Sequence, residues 1–245
     1  MIEFQPQPDC LAEKTILITG AGDGIGKTLA LQCAAFGATV ILLGRTVKKL
    51  EAVYDQIEQL GKKQAAIVPL DLQGATEQHY IDLANTIQND YGKLDGLVHN
   101  ASELGVLGPF AHIEQDTWND VMKINVTSAY LLTKSFLPVL TLSENASTIF
   151  TTSSVGTKGR AYWGVYSVSK FATEGMMQVL ADEYENSNLR FNAINPGATR
   201  TAMRAKAFPA EDNSTLKLPE DIMQSYLYLL SNDSINVTGQ VLNAQ

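Results

Sequence analysis

Tyr166 and Lys170 are the residues whose types and spacing first indicate chemistry. They lie four positions apart in residues 163–184, whose apolar pattern predicts a helix, so their side chains share one face. A phenol with a pKa of about 10 is a poor acid–base group at neutral pH, but a nearby ammonium group favours the phenolate. The pair therefore predicts a group that donates and accepts a proton. A chance pair of surface residues is the alternative, because this spacing alone is common.

A second candidate is the glycine-rich segment 19–26, which contains Gly20, Gly24 and Gly26. It follows the apolar run 15–19 and leads directly into a helical pattern. Glycines let the backbone approach a ligand closely, and a helix N-terminus attracts a pyrophosphate. The segment predicts a dinucleotide site, with an ordinary glycine-rich turn as the alternative.

The residues after the second predicted strand bear on the choice of nicotinamide cofactor. An NAD enzyme usually has Asp or Glu there to bind the ribose hydroxyls. This chain has Gly44 followed by Arg45, which can receive a 2′-phosphate, and Lys48 and Lys49 add positive charge. We therefore expect NADP(H) rather than NAD(H). A solvated Arg45 is the alternative, and the acidic Asp23 in the glycine loop argues against NADP(H).

Strands and helices alternate along the whole chain. The predicted strands are residues 15–19, 39–43, 65–70, 94–99, 147–152, 189–194 and 240–243. The predicted helices are residues 26–36, 47–60, 76–91, 116–138 with Asp116 as N-cap, 163–184 and 219–230. This order predicts an α/β fold: a single-domain, Rossmann-type, doubly wound parallel sheet of about seven strands with helices on both faces. Residues 199–218 fit neither element and suggest a lid or binding loop.

Composition excludes several classes of function. The 245 residues carry a net charge of −8 without a basic run, which argues against a partner that is nucleic acid or an anionic membrane. No apolar run approaches a membrane span, and residues 1–10 lack the pattern of a signal peptide, so we expect a cytoplasmic protein. The three histidines and two cysteines show no metal-ligand spacing, and we expect no metal.

These motifs resemble those of the short-chain dehydrogenase/reductase family. Its glycine loop has the spacing T-G-x-x-x-G-x-G seen here, and its other cofactor motifs match Asp71, Asn100 and Ala101. His99 and Ser102 depart from the family's N-N-A-G, and Ser102 replaces a glycine that lies along the cofactor. The resemblance implies that the cofactor contacts Gly20, Asp23, Gly24, Ile25, Gly26, Arg45, Asp71, Leu72, Asn100, Ala101, Tyr166, Lys170, Pro196, Gly197, Thr199 and Thr201.

The resemblance also supplies catalytic roles for Asn125, Ser153, Tyr166 and Lys170, which occur in the order and spacing of the family's tetrad. It implies that Tyr166 is the acid–base group and that Ser153 binds the substrate oxygen, with Ser154 as the neighbouring alternative. Lys170 would lower the pKa of Tyr166 and hold the ribose of the nicotinamide. Asn125 would hold a water linked to Lys170.

Four blocks, residues 39–45, 153–156, 169–184 and 195–204, are most similar to an uncharacterised bacterial subgroup, the YciK-like oxidoreductases. The resemblance implies one domain over residues 1–245. Residues 12–110 would mainly bind cofactor, and residues 111–245 would supply catalysis and the substrate site, with the lid at about 199–218.

The resulting expectation is an NADP(H)-dependent oxidoreductase that moves a hydride to or from a small carbonyl or alcohol substrate. A non-catalytic dinucleotide-binding redox sensor and a scaffold protein are the alternatives, since a fold does not fix a function. The family commonly pairs its long helices, which implies a homodimer or homotetramer. The substrate stays open: Arg200, Arg204 and Lys206 could meet an anionic substrate or simply face water.

Overall fold

The computed structural model describes residues 4–245, so the first three residues of the predicted domain lie outside the described part. The described chain contains one seven-stranded sheet in the order β3-β2-β1-β4-β5-β6-β7, with every neighbouring pair parallel. The strands are β1 Thr15–Thr19, β2 Thr39–Gly44, β3 Ala66–Pro69, β4 Gly96–His99, β5 Ala146–Thr151, β6 Leu189–Asn195 and β7 Val241–Asn243. Each predicted strand is present, with ends that differ by at most two residues.

Nine α-helices occur in residues 4–245. They are α1 Gly24–Ala35, α2 Val47–Gln59, α3 Glu77–Tyr91, α4 Gln115–Met122, α5 Ser128–Leu140, α6 Ser154–Thr157, α7 Gly164–Glu183, α8 Ala202–Ala207 and α9 Met223–Leu230. No helix in the described part of the chain is long and apolar enough to cross a membrane.

The sheet is buried on both faces, which explains its continuous apolar strands. In β1, Ile16 and Ile18 pack into a core with residues of α1, α2 and α9. Leu17, between them, points to the opposite face and packs with residues of α3, α5 and α7. The predicted doubly wound, Rossmann-type α/β fold is confirmed.

The first helix begins two residues earlier than predicted. Asp23 is its N-cap: the backbone is extended there, and the side chain accepts a hydrogen bond from the amide of Gly24 at 2.8 Å. This cap supplies an acceptor for an otherwise unpaired amide and so starts the helix at Gly24 rather than Gly26.

The predicted helix over 116–138 is wrong in its start and its continuity. Glu114, with extended backbone, is the N-cap, and Asp116 lies inside the first turn. The segment Lys123–Thr127 forms a π-helical turn that separates α4 from α5. Such a turn inserts an extra residue into the helix and often marks a functional site.

Residues 199–218, for which no element was predicted, contain the short helix α8. Thr201 caps it by accepting a hydrogen bond from the amide of Arg204 at 3.1 Å. An isolated bridge between Thr199 and Lys217 closes the base of the segment. We call residues 199–218 the lid segment.

Candidate active site

Two adjoining cavities open at the carboxyl ends of the central strands, where parallel α/β sheets bind ligands. The first has a volume of about 300 Å³ and the second about 370 Å³. Of the predicted site residues, the first is lined by Gly20, Asp23, Gly24, Ile25, Asn100, Ala101, Ser153, Tyr166, Lys170, Pro196, Gly197, Thr199 and Thr201. The second is lined by Arg45, Asp71 and Leu72, together with Gly20, Asp23 and Ala101. Asn125 and Gly26 line neither cavity.

The glycine loop is shaped by two positive φ angles and one close contact. Gly20 and Gly24 have φ values of +67° and +50°, in the left-handed region that glycine adopts readily. Gly26 serves packing instead. A Cβ there would lie 2.3 Å from the carbonyl oxygen of Gly20 and 2.5 Å from Nδ2 of Asn100. At Gly20 and Gly24 the loop, followed by the N-terminus of α1, presents backbone to the first cavity, with Asp23 and Ile25 beside it.

Thr19 ties the glycine loop to the end of β4, a role that the sequence analysis missed. Its Oγ1 accepts hydrogen bonds from the amides of Asn100 and Ala101 at 3.0 Å each and donates to the carbonyl of Val98 at 3.2 Å. The side-chain amide of Asn100 in turn donates to the carbonyl of Thr19 at 3.0 Å. The two strand ends that border the first cavity are therefore held in fixed relation.

The two neighbouring serines differ in where they lie. Ser153 caps α6, is partly buried and lines the first cavity, whereas Ser154 is exposed and lies outside it. Of the two, Ser153 is therefore the one placed to contact a ligand in that cavity. Gly156 lets α6 lie against α7, because a Cβ there would be only 2.9 Å from Cβ of Lys170.

Tyr166 and Lys170 lie on α7, on the face that closes the first cavity. The Nζ atom of Lys170 is 5.4 Å from the ring centroid of Tyr166 and donates a hydrogen bond to the carbonyl of Thr151 at 2.8 Å. Both side chains are buried, with Lys170 only 4% exposed. The phenol and the ammonium group are thus both buried on one face of α7.

Burial dominates the electrostatics of this pair. It raises the pKa of Tyr166 to about 12, while the hydroxyl groups of Ser153 and then Ser102 favour the phenolate and oppose the rise. Burial also lowers the pKa of Lys170 to about 8, against the opposing charge of Glu174. In the protein without cofactor, desolvation of the phenolate is thus the largest influence on the pKa of Tyr166, and the expected lowering by Lys170 together with the oxidised nicotinamide stays a prediction.

Asn125 lies in the π-helical turn between α4 and α5. Its Oδ1 accepts from the amide of Glu103 at 2.7 Å, and its Nδ2 donates to the carbonyl of Glu103 and to Oγ of Ser169, both at 2.9 Å. A small cavity of about 10 Å³ lies between Asn125 and Lys170. That is close to the space one water needs.

Two residues depart from the family's cofactor motif, and they differ in where they lie. His99 is buried, stacks on Phe150 with ring centroids 4.8 Å apart and shares a 2.8 Å hydrogen bond with Thr133. Burial lowers the pKa of His99 to about 3, so it is neutral. Ser102 lines both main cavities, and its buried Oγ completes no hydrogen bond within residues 4–245.

Positive charge borders the second cavity. Arg45 is exposed there and forms no ion pair or side-chain hydrogen bond among the described residues. Lys49 lines the same cavity and lies 2.5 Å from Oδ2 of Asp23. The hydrogen bond from Lys49 holds the pKa of Asp23 below its ordinary value. Lys49 thus compensates the negative charge of Asp23, the acidic residue of the glycine loop.

The segment after β6 borders the first cavity. Gly197 has a φ of +70°, and Nε2 of Gln245 donates to the carbonyl of Pro196 at 2.6 Å and to Oγ1 of Thr199 at 3.3 Å.

The two cavities, the glycine loop and the positive charge of Arg45 beside the second cavity together fit a dinucleotide that carries an extra phosphate. Among the described residues no group of three potential metal-ligating side chains occurs.

Comparison with known proteins decides the family. The family model described as "short chain dehydrogenase" matches residues 14–212 of this chain. The chain belongs to the short-chain dehydrogenase family. It is 50% identical over 244 residues to the uncharacterised oxidoreductase YciK of Escherichia coli K12, covering 100% of this chain and 96% of YciK.

Two solved structures of family members are equally similar. A short chain dehydrogenase of Shigella flexneri 2a, complexed with NADP, has a TM-score of 0.95 and 50% identity, covering 98% of this chain and 100% of that one. A short chain dehydrogenase of Escherichia coli CFT073, complexed with NADPH, has a TM-score of 0.95 and 51% identity over the same shares. The predicted membership of the family and the similarity to the YciK-like subgroup are confirmed.

Proposed function

We propose that this chain is an NADP(H)-dependent oxidoreductase that transfers a hydride between the nicotinamide and a carbonyl or alcohol carbon. The observation that carries the proposal is that Ser153, Tyr166 and Lys170 line the same cavity as the glycine loop. Relatives about 50% identical to this chain were crystallised with NADP or NADPH, which supports the choice of cofactor.

The cofactor would lie across both cavities. Residues 12–110 would supply most of its contacts, with the pyrophosphate at Gly20, Gly24 and the N-terminus of α1. Arg45, whose guanidinium is free of partners among the described residues, and Lys49 would receive the 2′-phosphate. Asp71, Leu72, Asn100 and Ala101 would border the adenosine and ribose, and the backbone and hydroxyls of residues 196–201 would border the nicotinamide.

The catalytic roles follow from which side chains share the first cavity. When bound, the reduced nicotinamide supplies the hydride. Ser153 donates a hydrogen bond to the substrate oxygen, and Tyr166 gives that oxygen a proton in reduction or takes one in oxidation. The positive charge of Lys170 favours the phenolate that forms when Tyr166 releases its proton.

Proton resupply would pass through the small cavity beside Lys170. Its volume of about 10 Å³ and its lining by Asn125 and Lys170 suit one bound water. The bonds from Asn125 to Glu103 and Ser169 hold its side chain in place at this point. We therefore assign Asn125 to positioning the water rather than to contact with the substrate.

Fluorescence titration of the purified protein with NADPH and NADH tests the proposal. Trp163 lines the first cavity, so cofactor binding should quench its emission and transfer energy to the reduced nicotinamide. We expect NADPH to bind at micromolar concentration and NADH much more weakly. Tighter binding of NADH would overturn the choice of cofactor, and the absence of binding by either would overturn the proposed function.

A further inference from the structure

The lid segment carries four cations, and the partners of three of them, Arg204, Lys206 and Arg200, bear on what substrate the first cavity accepts. Arg204 itself lines that cavity. If its guanidinium were free, it would be a strong site for a carboxylate or phosphate group of the substrate. The contacts of these cations therefore distinguish an anionic substrate from a neutral one.

Arg204 forms an ion pair and an aromatic contact within the lid segment. Its Nε donates to Oε2 of Glu211 at 2.7 Å and its Nη2 to Oε1 of the same residue at 2.5 Å. The guanidinium also stacks on the ring of Phe208, 3.8 Å from the centroid. The hydrogen bond from Arg204 lowers the pKa of Glu211, so the pair stays ionised at neutral pH. This pairing occupies the Nε–Nη2 edge of the guanidinium and compensates its positive charge, so Arg204 offers no uncompensated charge to a substrate.

The other two cations also have partners within the protein. Lys206 lies 3.2 Å from Oε1 of Glu103, which belongs to the loop after β4. Arg200 donates through Nε to the carbonyl of Asn213 at 2.8 Å and through Nη2 to that of Ser214 at 3.3 Å. These three cations thus hold the lid segment together and connect it to the rest of the molecule, and the fourth, Lys217, does not line the first cavity.

The wall of the first cavity beside Tyr166 is apolar. Leu104 and Val155 are buried against Tyr166, and Trp163, Met203 and Ala207 pack on the same cluster. The rings of Trp163 and Tyr166 have centroids 5.8 Å apart. A group next to the reacting carbon would therefore meet hydrocarbon and an indole ring.

We propose that the substrate is an uncharged carbonyl or alcohol compound with an apolar group that packs between Trp163, Met203 and Leu104. This inference rests on the proposed function and names its substrate class. A carboxylate or phosphate placed against this wall would lose its hydration without gaining a partner.

Two aldehydes of similar size and carbonyl reactivity test the substrate class: 4-methylbenzaldehyde and 4-carboxybenzaldehyde, each reduced with NADPH. We expect kcat/KM to be at least tenfold higher for the methyl compound, because only the carboxylate must be desolvated. Equal rates, or faster reduction of the carboxylated aldehyde, would overturn the inference. A wider set of neutral and carboxylated aliphatic carbonyl compounds extends the comparison, and a carboxylated compound as the best substrate would overturn it too.

Replacing Glu211 with Gln removes the negative charge that compensates Arg204 and gives the sharpest test of the substrate class. In Glu211→Gln we expect kcat/KM for 4-carboxybenzaldehyde to rise at least fivefold relative to that for 4-methylbenzaldehyde. Glu144→Gln is the matched control, since Glu144 is exposed in the loop before β5, at the opposite end of the strands. An unchanged ratio in Glu211→Gln, with the circular dichroism of the wild type, would show that Arg204 does not limit anionic substrates and would contradict the inference.

The outcomes distinguish a failure of the proposed oxidoreductase activity from a failure of the proposed substrate class. Failure of NADPH to bind, or NADPH binding without reduction of any neutral or carboxylated compound, would refute the proposed oxidoreductase. Reduction that does not favour the neutral member of each pair would refute only the substrate class. If Glu211→Gln does not fold, the comparison of the two aldehydes with the wild-type protein decides the question.

Discussion

At the scale of single residues, the proposed chemistry depends on one buried phenol. Tyr166 is buried and carries a pKa of about 12, so it is protonated at neutral pH and ready to donate. Donation is the role required for reduction of a carbonyl. Oxidation of an alcohol needs the phenolate and is therefore expected to increase as the pH rises towards the pKa of Tyr166.

Replacement of Tyr166 by Phe removes the proton donor and keeps the ring that packs against Trp163 and Leu104. We expect kcat to fall by roughly 10²–10⁴-fold, the usual contribution of a general acid. The affinity for NADPH should change only a few-fold, because the glycine loop and Arg45 are untouched. Steady-state rates and the fluorescence titration measure the two effects, and retained turnover would refute the acid–base role.

Ser102 provides a test of the pKa balance. Its hydroxyl lines the same cavity as Tyr166, completes no hydrogen bond within residues 4–245 and favours the phenolate, to which it can donate once the phenol is ionised, so Ser102→Ala should raise the pKa of Tyr166. A hydrogen bond to a charged group is worth about 1.5–3 kcal/mol, which corresponds to about one to two pH units. The rising limb of the pH profile for alcohol oxidation should then move to higher pH by that amount.

A spectroscopic measurement checks the same shift without turnover. Tyrosinate absorbance titrated in Ser102→Ala, with the Tyr166→Phe titration subtracted, should show a later midpoint than in the wild type. Ser154→Ala removes a neighbouring hydroxyl that lies outside the cavity and should leave the midpoint in place. Identical midpoints for wild type and Ser102→Ala would show that Ser102 does not act on the phenol.

Arg45→Ala tests how the 2′-phosphate is recognised. Arg45 has no partner among the described residues, so its removal leaves no other group unpaired. We expect NADPH binding to weaken by roughly tenfold or more, the value of a charge-assisted hydrogen bond, while NADH binding stays nearly unchanged. Comparable losses for the two cofactors would mean that Arg45 does not contact the 2′-phosphate.

At the scale of elements, the sequence predicted most of what positions the site. The strands were readable because a parallel sheet buried on both faces needs continuous apolar runs. The glycine loop was readable because close approach of the backbone to a ligand requires glycines at fixed spacing. Asn125, Ser153, Tyr166 and Lys170 were predicted as a set only through the resemblance to the family, because they are spread over 46 residues of sequence.

The features that were missed depend on contacts between distant parts of the chain. The π-helical turn at Asn125 is stabilised by bonds to Glu103 and Ser169, 22 and 44 residues away, and leaves no pattern in its own sequence. Helix α8 is six residues long and depends on its Thr201 cap and on the pair of Arg204 with Glu211. The high pKa of Tyr166 likewise follows from burial, which spacing alone does not report.

Gly26→Ala tests how closely α1 packs on the glycine loop. The new Cβ would collide with the carbonyl of Gly20 and with the side chain of Asn100. We expect the free energy of unfolding to fall by about 1–3 kcal/mol, the usual cost of overpacking, and NADPH binding to weaken as the loop moves. Gly74→Ala is the control, since a Cβ there meets nothing within 4 Å. Equal melting temperatures for the two variants would contradict the packing argument.

At the scale of the whole molecule, the exposed apolar residues indicate assembly. Tyr130 on α5 is 48% exposed, and Phe171 and Val179 on α7 are 45% and 57% exposed. Phe171 and Val179 are eight residues apart, so they lie on one side of α7. Water-exposed aromatic and branched side chains on neighbouring long helices are typical of a surface that another subunit covers.

We therefore predict that the chain forms a homodimer or homotetramer through the exposed sides of α5 and α7. Sedimentation velocity at micromolar concentration should show a species of at least twice the chain mass. Phe171→Glu should shift it towards the monomer, because a carboxylate buried at an interface without a partner is strongly unfavourable. Val106→Glu, at a loop residue that is 68% exposed and lies on neither helix, should leave the assembly intact. A stable wild-type monomer would contradict this prediction and would mean that these apolar residues face water.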